Sequence, residues 1–158
     1  MPTIDEVFMQ EAIRQAQMAF LKDEVPVGAV IVHQNKVIAR AYNQVELLKD
    51  PTAHAEMLAI TQATSFLSSK WLQECTMYVT IEPCSMCAGA LVLARIKRLC
   101  FGAGDPKTGG CGSIVNIADH EKLNHRIEIK RAINEAQCGS LLSEFFQKKR
   151  KQAQELTN

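Results

Sequence analysis

His54 and Glu56, followed by Cys84 and Cys87 behind Pro83, are the residues whose types and spacing could do chemistry. Zinc takes four ligands. A structural site fills all four from protein, whereas a catalytic site supplies three and keeps the fourth for water. His54, Cys84 and Cys87 make three. Glu56, two residues from the histidine, need not bind the metal and can act as general acid and base on the water beside it. Alone, His-x-Glu says little, and Cys-x-x-Cys could be a redox pair or half of a structural zinc site. Together they point to a metal-activated water with a carboxylate to move its protons.

The elements that must position these groups follow from periodicity. Apolar Met57, Leu58, Ile60, Ala63 and Leu67 recur at helical spacing from Ala53 to about Leu67, which places His54 and Glu56 in a first turn. Cys84 to about Ala94 is again helical, so Cys84 and Cys87 lie one turn apart on one face. Both donor groups then sit at helix N-termini, where the macrodipole favours negative charge and helps keep a thiolate ionised.

Earlier in the chain, Thr3 and Glu6 form a capping-box pattern for a helix from about Ile4 to Lys22, with Val7, Ile13, Ala16 and Phe20 near one face. Ala29 to Val32 and Lys36 to Tyr42, joined by Gln34-Asn35, read as a β-hairpin. Asn43 ends its second strand, and the stretch through Asp50-Pro51 reads as a loop. Cys75 to Ile81 and Lys97 to Phe101 are further strands, and five glycines between Gly102 and Gly112 make a loop. Arg126 to Lys130 is a short strand. Asn134 to Arg150 is a helix striped by Leu141, Leu142, Phe145 and Phe146, with a basic run from Lys148 to Lys151. Strands alternating with helices argue for an α/β layer architecture.

At 158 residues the chain, 1–158, is one domain by size, and 47% hydrophobic content is enough for a core. Its formal net charge is +1, so any nucleic-acid contact must come from a local patch. Asp5, Glu6 and Glu11 interrupt the first twenty residues, which therefore look like neither a secretory leader nor a membrane span, and a cytoplasmic protein is the default expectation. Six cysteines then read as metal ligands and buried thiols, with Cys75, Cys100, Cys111 and Cys138 as packing residues. His125 reads as structural, and His33 and His120 as surface residues.

The pairing of His54-Ala55-Glu56 with Pro83-Cys84-Ser85-Met86-Cys87 matches the signature of zinc nucleobase deaminases. More closely, the chain resembles the bacterial tRNA-specific adenosine deaminases of the cytidine-deaminase superfamily from about Glu6 to Arg150. That resemblance rests also on Glu24-Val25-Pro26-Val27-Gly28-Ala29, Met86-Cys87-Ala88-Gly89-Ala90, Phe101 to Gly109, Asn124-His125, and Leu141 to Phe146. It implies a three-layer α/β/α cytidine-deaminase-like fold around a five-stranded mixed sheet. It further implies one Zn2+ per subunit, a homodimer, and conversion of the wobble adenosine of a tRNA anticodon to inosine with release of ammonia.

By the same resemblance, Asn43 hydrogen-bonds the flipped nucleotide, Val27 and Ile81 wall its pocket, and Ala55 adjoins it. Asp105 and Lys107 lie in an RNA-contacting loop, and Phe145, Phe146 and Arg150 face the anticodon loop. The chain departs from the family pattern at Cys111 and Gly104, both in the glycine-rich loop. Two other readings stand beside this one: a deaminase of a free base, and a zinc-stabilised RNA-binding subunit in which Cys100 or Cys111 closes the metal site. For the residues taken singly, Asn43 could instead cap a turn, and Asp105 could pair with Lys107.

Overall fold

The computed structural model describes residues 1–157. Helix α1, Ile4–Leu21, opens with the capping box: the Thr3 hydroxyl accepts from the Glu6 amide, and the Glu6 carboxylate accepts from the Thr3 amide. Its buried stripe is Asp5, Met9, Ala12, Ile13, Ala16 and Ala19. Ile13 and Ala16 fall where expected and Phe20 is half-buried, but Val7 is exposed because it lies across the helix from that stripe.

Strands β1, Gly28–His33, and β2, Lys36–Tyr42, form the hairpin. Gln34 and Asn35 both have positive φ, the turn geometry that matches strand twist. The following stretch corrects the loop expectation, since Val45–Leu48 is a short helix, α2. Two amides at its start, those of Glu46 and Leu47, donate to the buried Glu24 carboxylate at 2.9 and 2.7 Å. A cap supplied from some twenty residues away leaves no local pattern.

Helix α3, Ala55–Leu67, ends at Ser68 in the left-handed region, and β3, Cys75–Ile81, follows. Helix α4, Ser85–Leu93, crosses over to β4, Arg98–Ala103, which runs parallel to β3. Strand β5, Glu128–Lys130, is parallel to β4. Helix α5, Glu135–Thr157, outruns the expected end at Arg150 by two turns of exposed residues.

The five strands stand in the order β2-β1-β3-β4-β5, antiparallel on the β2 side and parallel on the β5 side. Alternate residues divide the core into two layers. Ala29, Ile31, Met77, Val79, Leu99 and Phe101 pack with Ala55, Ala59 and Ala63 of α3 and Ala88 and Leu91 of α4. On the other face Val30, Val32, Tyr78 and Cys100 pack with Met9, Ala12 and Ile13 of α1 and Cys138 of α5. This is a three-layer α/β/α sandwich. Gly28 permits its tightest approach, because a Cβ there would collide with the Ala12 carbonyl oxygen. Among the described residues no helix is long and apolar enough to cross a membrane.

Candidate active site

The connection from α2 to α3 and the turn from β3 to α4 end at one place. His54 and Cys84 are the N-caps of α3 and α4, both with extended backbone, and Cys87 is on the first turn of α4. His54 Nδ1 stands 3.6 Å from Cys84 Sγ and 3.5 Å from Cys87 Sγ, and the three donor atoms lie within 4.8 Å of one another. Ordinary Zn–N and Zn–S bond lengths at a tetrahedral angle put nitrogen and sulfur ~3.6 Å apart. The donor set therefore fits a single ion with one position left over. Cys100 and Cys111, the residues that could have closed the site, are buried in the core and are not part of this cluster.

Glu56, one residue into α3, is 3% exposed and lines the cavity beside the donors. Burial raises its carboxyl above the usual range, which suits a group that must both take and give a proton. The two thiols are electrostatically coupled. A hydrogen bond from Cys87 and then the neighbouring His54 lower Cys84, while the bond to Cys84 and then burial push Cys87 far up. The bond to Cys84 raises His54 in turn. Without an ion the cluster holds protons that an ion would displace.

The cavity above the cluster measures about 1070 Å³, above the ~300–1,000 Å³ of most small-molecule sites. Val27 and Ile81 are among its lining residues, as are Tyr42, Asn43, His54 and Glu56. Asn43 is 7% exposed, and its carboxamide makes no hydrogen bond among the described residues, which removes the turn-capping role. Its backbone amide donates to Val27 at 3.0 Å, so the two are held together. Ala55 is fully buried behind His54 and contributes no side chain to the cavity surface.

Asp105 and Lys107 both line the cavity but do not pair. One Asp105 carboxylate oxygen accepts from the Lys107 and Thr108 amides at 2.9 and 3.1 Å, and the other accepts from the Thr108 hydroxyl at 2.7 Å. Burial would raise Asp105, and these bonds outweigh it and lower it. From α5, Phe145 and Phe146 reach the cavity with Lys149. Phe145 is buried edge-on against Phe20 of α1, centroids 5.8 Å apart, while Phe146 is 44% exposed. Lys149 Nζ is 2.6 Å from Asp23. Arg150 is exposed and outside the cavity.

His125 donates from Nε2 to the Ile96 carbonyl at 2.6 Å, a structural role as expected. His120 is exposed and His33 half-buried. Sequence reasoning passed over Glu24 and Glu82, each almost fully buried and each lining the cavity. Their signal was an acidic residue set directly against apolar neighbours and a proline, in Glu24-Val25-Pro26 and Ile81-Glu82-Pro83.

A mixed five-stranded sheet with a histidine and two cysteines gathered by two helix N-termini, and a buried glutamate beside them, defines the cytidine-deaminase-like class. The chain belongs to the MafB19-like deaminase family, whose model matches residues 4–150. It is similar to the tRNA-specific adenosine deaminase of Aquifex aeolicus (strain VF5), 52% identical over 145 residues that cover 92% of this chain and 95% of the relative. The tRNA-specific adenosine deaminase of Bacillus subtilis (strain 168) is 47% identical over 149 residues, 94% and 92% of the two chains. A solved structure from work on A-to-I editing by tRNA:A34 deaminases at the wobble position of transfer RNA superposes with a TM-score of 0.83. It is 40% identical and covers 86% of this chain and 99% of its own.

Proposed function

We propose that the protein, as a single deaminase domain, hydrolyses adenosine to inosine at the wobble position of a tRNA anticodon and releases ammonia. The observation that carries this is the three-donor cluster with the buried Glu56 beside it, at the base of a cavity larger than one base requires. The relatives described as tRNA-specific adenosine deaminases support the choice of RNA over a free base.

His54, Cys84 and Cys87 would hold one Zn2+ per subunit, which when bound supplies the Lewis acidity to ionise a water near neutral pH. Glu56 takes a proton from that water and passes it to N1 of adenine as the water oxygen adds to C6. It then carries the second proton to the C6 amine as the C6–N bond breaks. One water is consumed, and inosine and ammonia leave. Asn43, with its free carboxamide, reads the base edge between Val27 and Ile81. The adenosine must leave its stack to reach this depth, which costs least in a single-stranded loop.

Lys107, Phe145 and Phe146 at the cavity serve the anticodon stem-loop, and Arg150, outside it, meets RNA through phosphate. The exposed apolar side chains Phe66 on α3 and Leu93 on α4 support pairing of two copies as a homodimer. A cytoplasmic location goes with a tRNA substrate.

The test is inosine formation on an anticodon stem-loop with adenosine at the wobble position, beside free adenosine, guanine and cytosine. Inosine in the RNA alone, abolished by Glu56→Ala with metal content unchanged, is the expected result. Turnover of a free base with none on the RNA would overturn the substrate, and near-normal activity of Glu56→Ala would overturn the mechanism.

A further inference from the structure

Glu82 is a buried carboxylate, 1% exposed, between the end of β3 and the Pro83-Cys84 turn that presents a metal donor. No lysine or arginine pairs with it among the described residues. Its charge is answered instead by one segment of chain. One carboxylate oxygen accepts from the Asp105 amide at 3.1 Å and from the Ser113 hydroxyl. The other accepts from the amides of Cys111 at 3.0 Å and Ser113 at 3.1 Å.

A carboxylate taken out of water is tolerated only when hydrogen bonds replace its hydration, so these four donors are held as firmly as they hold it. The loop is built to come this close. A Cβ on Gly109 would collide with the Glu82 carboxylate and stand 2.6 Å from the Asp105 carbonyl oxygen. Beside it, the Gly110 amide donates to the Pro83 carbonyl at 2.8 Å, and Gly109 bridges to Cys84. Asp105 to Thr108 of the same loop are cavity wall, as is Glu82 itself.

We propose that Glu82 is a positioning residue for the RNA substrate: it fastens the Asp105–Ser113 loop to the Cys84 turn and so fixes the distance between that wall and the metal donors. This rests on the RNA reading given above. The hydrogen bonds of Glu82 run to Asp105, Cys111 and Ser113 and not to His54 or Glu56, so its effect falls on how substrate is held and not on the proton transfers.

Glu82→Gln separates these. The glutamine NH2 cannot accept where two backbone N–H groups point, so the carboxamide oxygen keeps the Cys111 and Ser113 amides and the NH2 turns toward Asp105 and the Ser113 hydroxyl. The hydroxyl can rotate to accept, but the Asp105 amide is left facing a donor. The loop is released at the cavity end alone.

The expected result is faster hydrogen exchange at the Asp105 amide in the RNA-free protein and KM for the stem-loop raised about tenfold, the equivalent of one or two lost hydrogen bonds. The same variant should keep kcat and a full complement of metal. Gly109→Ala, which leaves Glu82 in place but forces the loop off it, should raise KM in the same way. Unchanged KM in both variants overturns the inference, as does a fall in kcat or metal content with KM unaltered. A wild-type protein inactive on the RNA overturns the functional reading, whereas unaltered exchange at Asp105 in Glu82→Gln overturns the fastening alone.

Discussion

Asp5→Asn should destabilise the protein by about 3 kcal/mol without slowing it at 25 °C. Asp5 is an acidic residue on the buried stripe of α1, and one of its oxygens accepts from Tyr78 Oη at 2.7 Å and Arg98 Nη1 at 2.8 Å. The other accepts from Arg98 Nη2 at 2.8 Å and Lys130 Nζ at 3.1 Å. An asparagine keeps the shape but must point its NH2 at one arm of the Arg98 fork. Hydrogen bonds to a charged group contribute about 1.5–3 kcal/mol each when shielded, while Lys130, half exposed, adds under ~1 kcal/mol. Arg98, 24% exposed, recovers part of its hydration, which holds the sum to about 3 kcal/mol. For a chain of this size that lowers Tm by roughly 6–12 °C.

The pH dependence supplies the sign. The Arg98 hydrogen bonds hold the Asp5 carboxyl well below the usual range in the folded protein. Its contribution is therefore complete above the unfolded value of about 4 and is lost as pH falls through the depressed folded value. The gap between wild type and variant, followed by urea unfolding, should be constant from neutrality down to about pH 5 and shrink below about pH 4. Tyr78 and Asp5 lie on the α1 side of the sheet and the metal donors on the other, so initial rates should match. A Tm within about 2 °C of wild type, or a gap indifferent to acid, would refute the assignment.

Two further outcomes follow from the same geometry. In chelator-treated protein at neutral pH, alkylation read by mass spectrometry should reach Cys84, whose thiol is lowered and half-exposed. It should spare Cys75, pushed up to about 11 by burial, and Cys100, Cys111 and Cys138, pushed up to about 12 by the same cause; reloading with zinc should protect Cys84. Ser68, exposed at the end of α3 with φ 51, carries a side chain where glycine is unstrained. Ser68→Gly should gain about 0.5 kcal/mol, net of the added freedom of the unfolded chain, and raise Tm by about 1–2 °C.

What was legible in the sequence was whatever has a short period. The strand Cys75 to Ile81 came out residue for residue, and the two donor-bearing helices began two residues and one residue after the expected Ala53 and Cys84. His54, Cys84 and Cys87 announced themselves because metal chemistry needs those types at helix starts. What escaped was chosen by distant partners. Asp5 meets residues 73 to 125 positions away, Glu82 a loop 23 to 31 away, and Glu24 the helix α2 that it induces. None of the three was singled out as a buried group, because nothing within a few residues of it records the partner. Phe145 and Phe146 were adjacent in one apolar stripe, and only the position of α1 decides that the first is buried and the second presented. Arg150 carried the right charge, yet the turn of α5 sets it outside the cavity.

The cavity draws on both ends of the chain, with Lys22 to Val27 near its start and Leu142 to Lys149 near its finish, whereas the three metal donors and Glu56 are all present by residue 87. On a ribosome, synthesis at ~5–20 residues per second means that several seconds pass between the last donor and the last piece of wall. A nascent chain thus carries the three donors and Glu56 before it has the α5 part of the cavity wall. A chain broken off in that interval would carry those four side chains and lack the wall that α5 supplies. Leu142 to Lys149 of α5 are therefore the part of the cavity wall that is made latest.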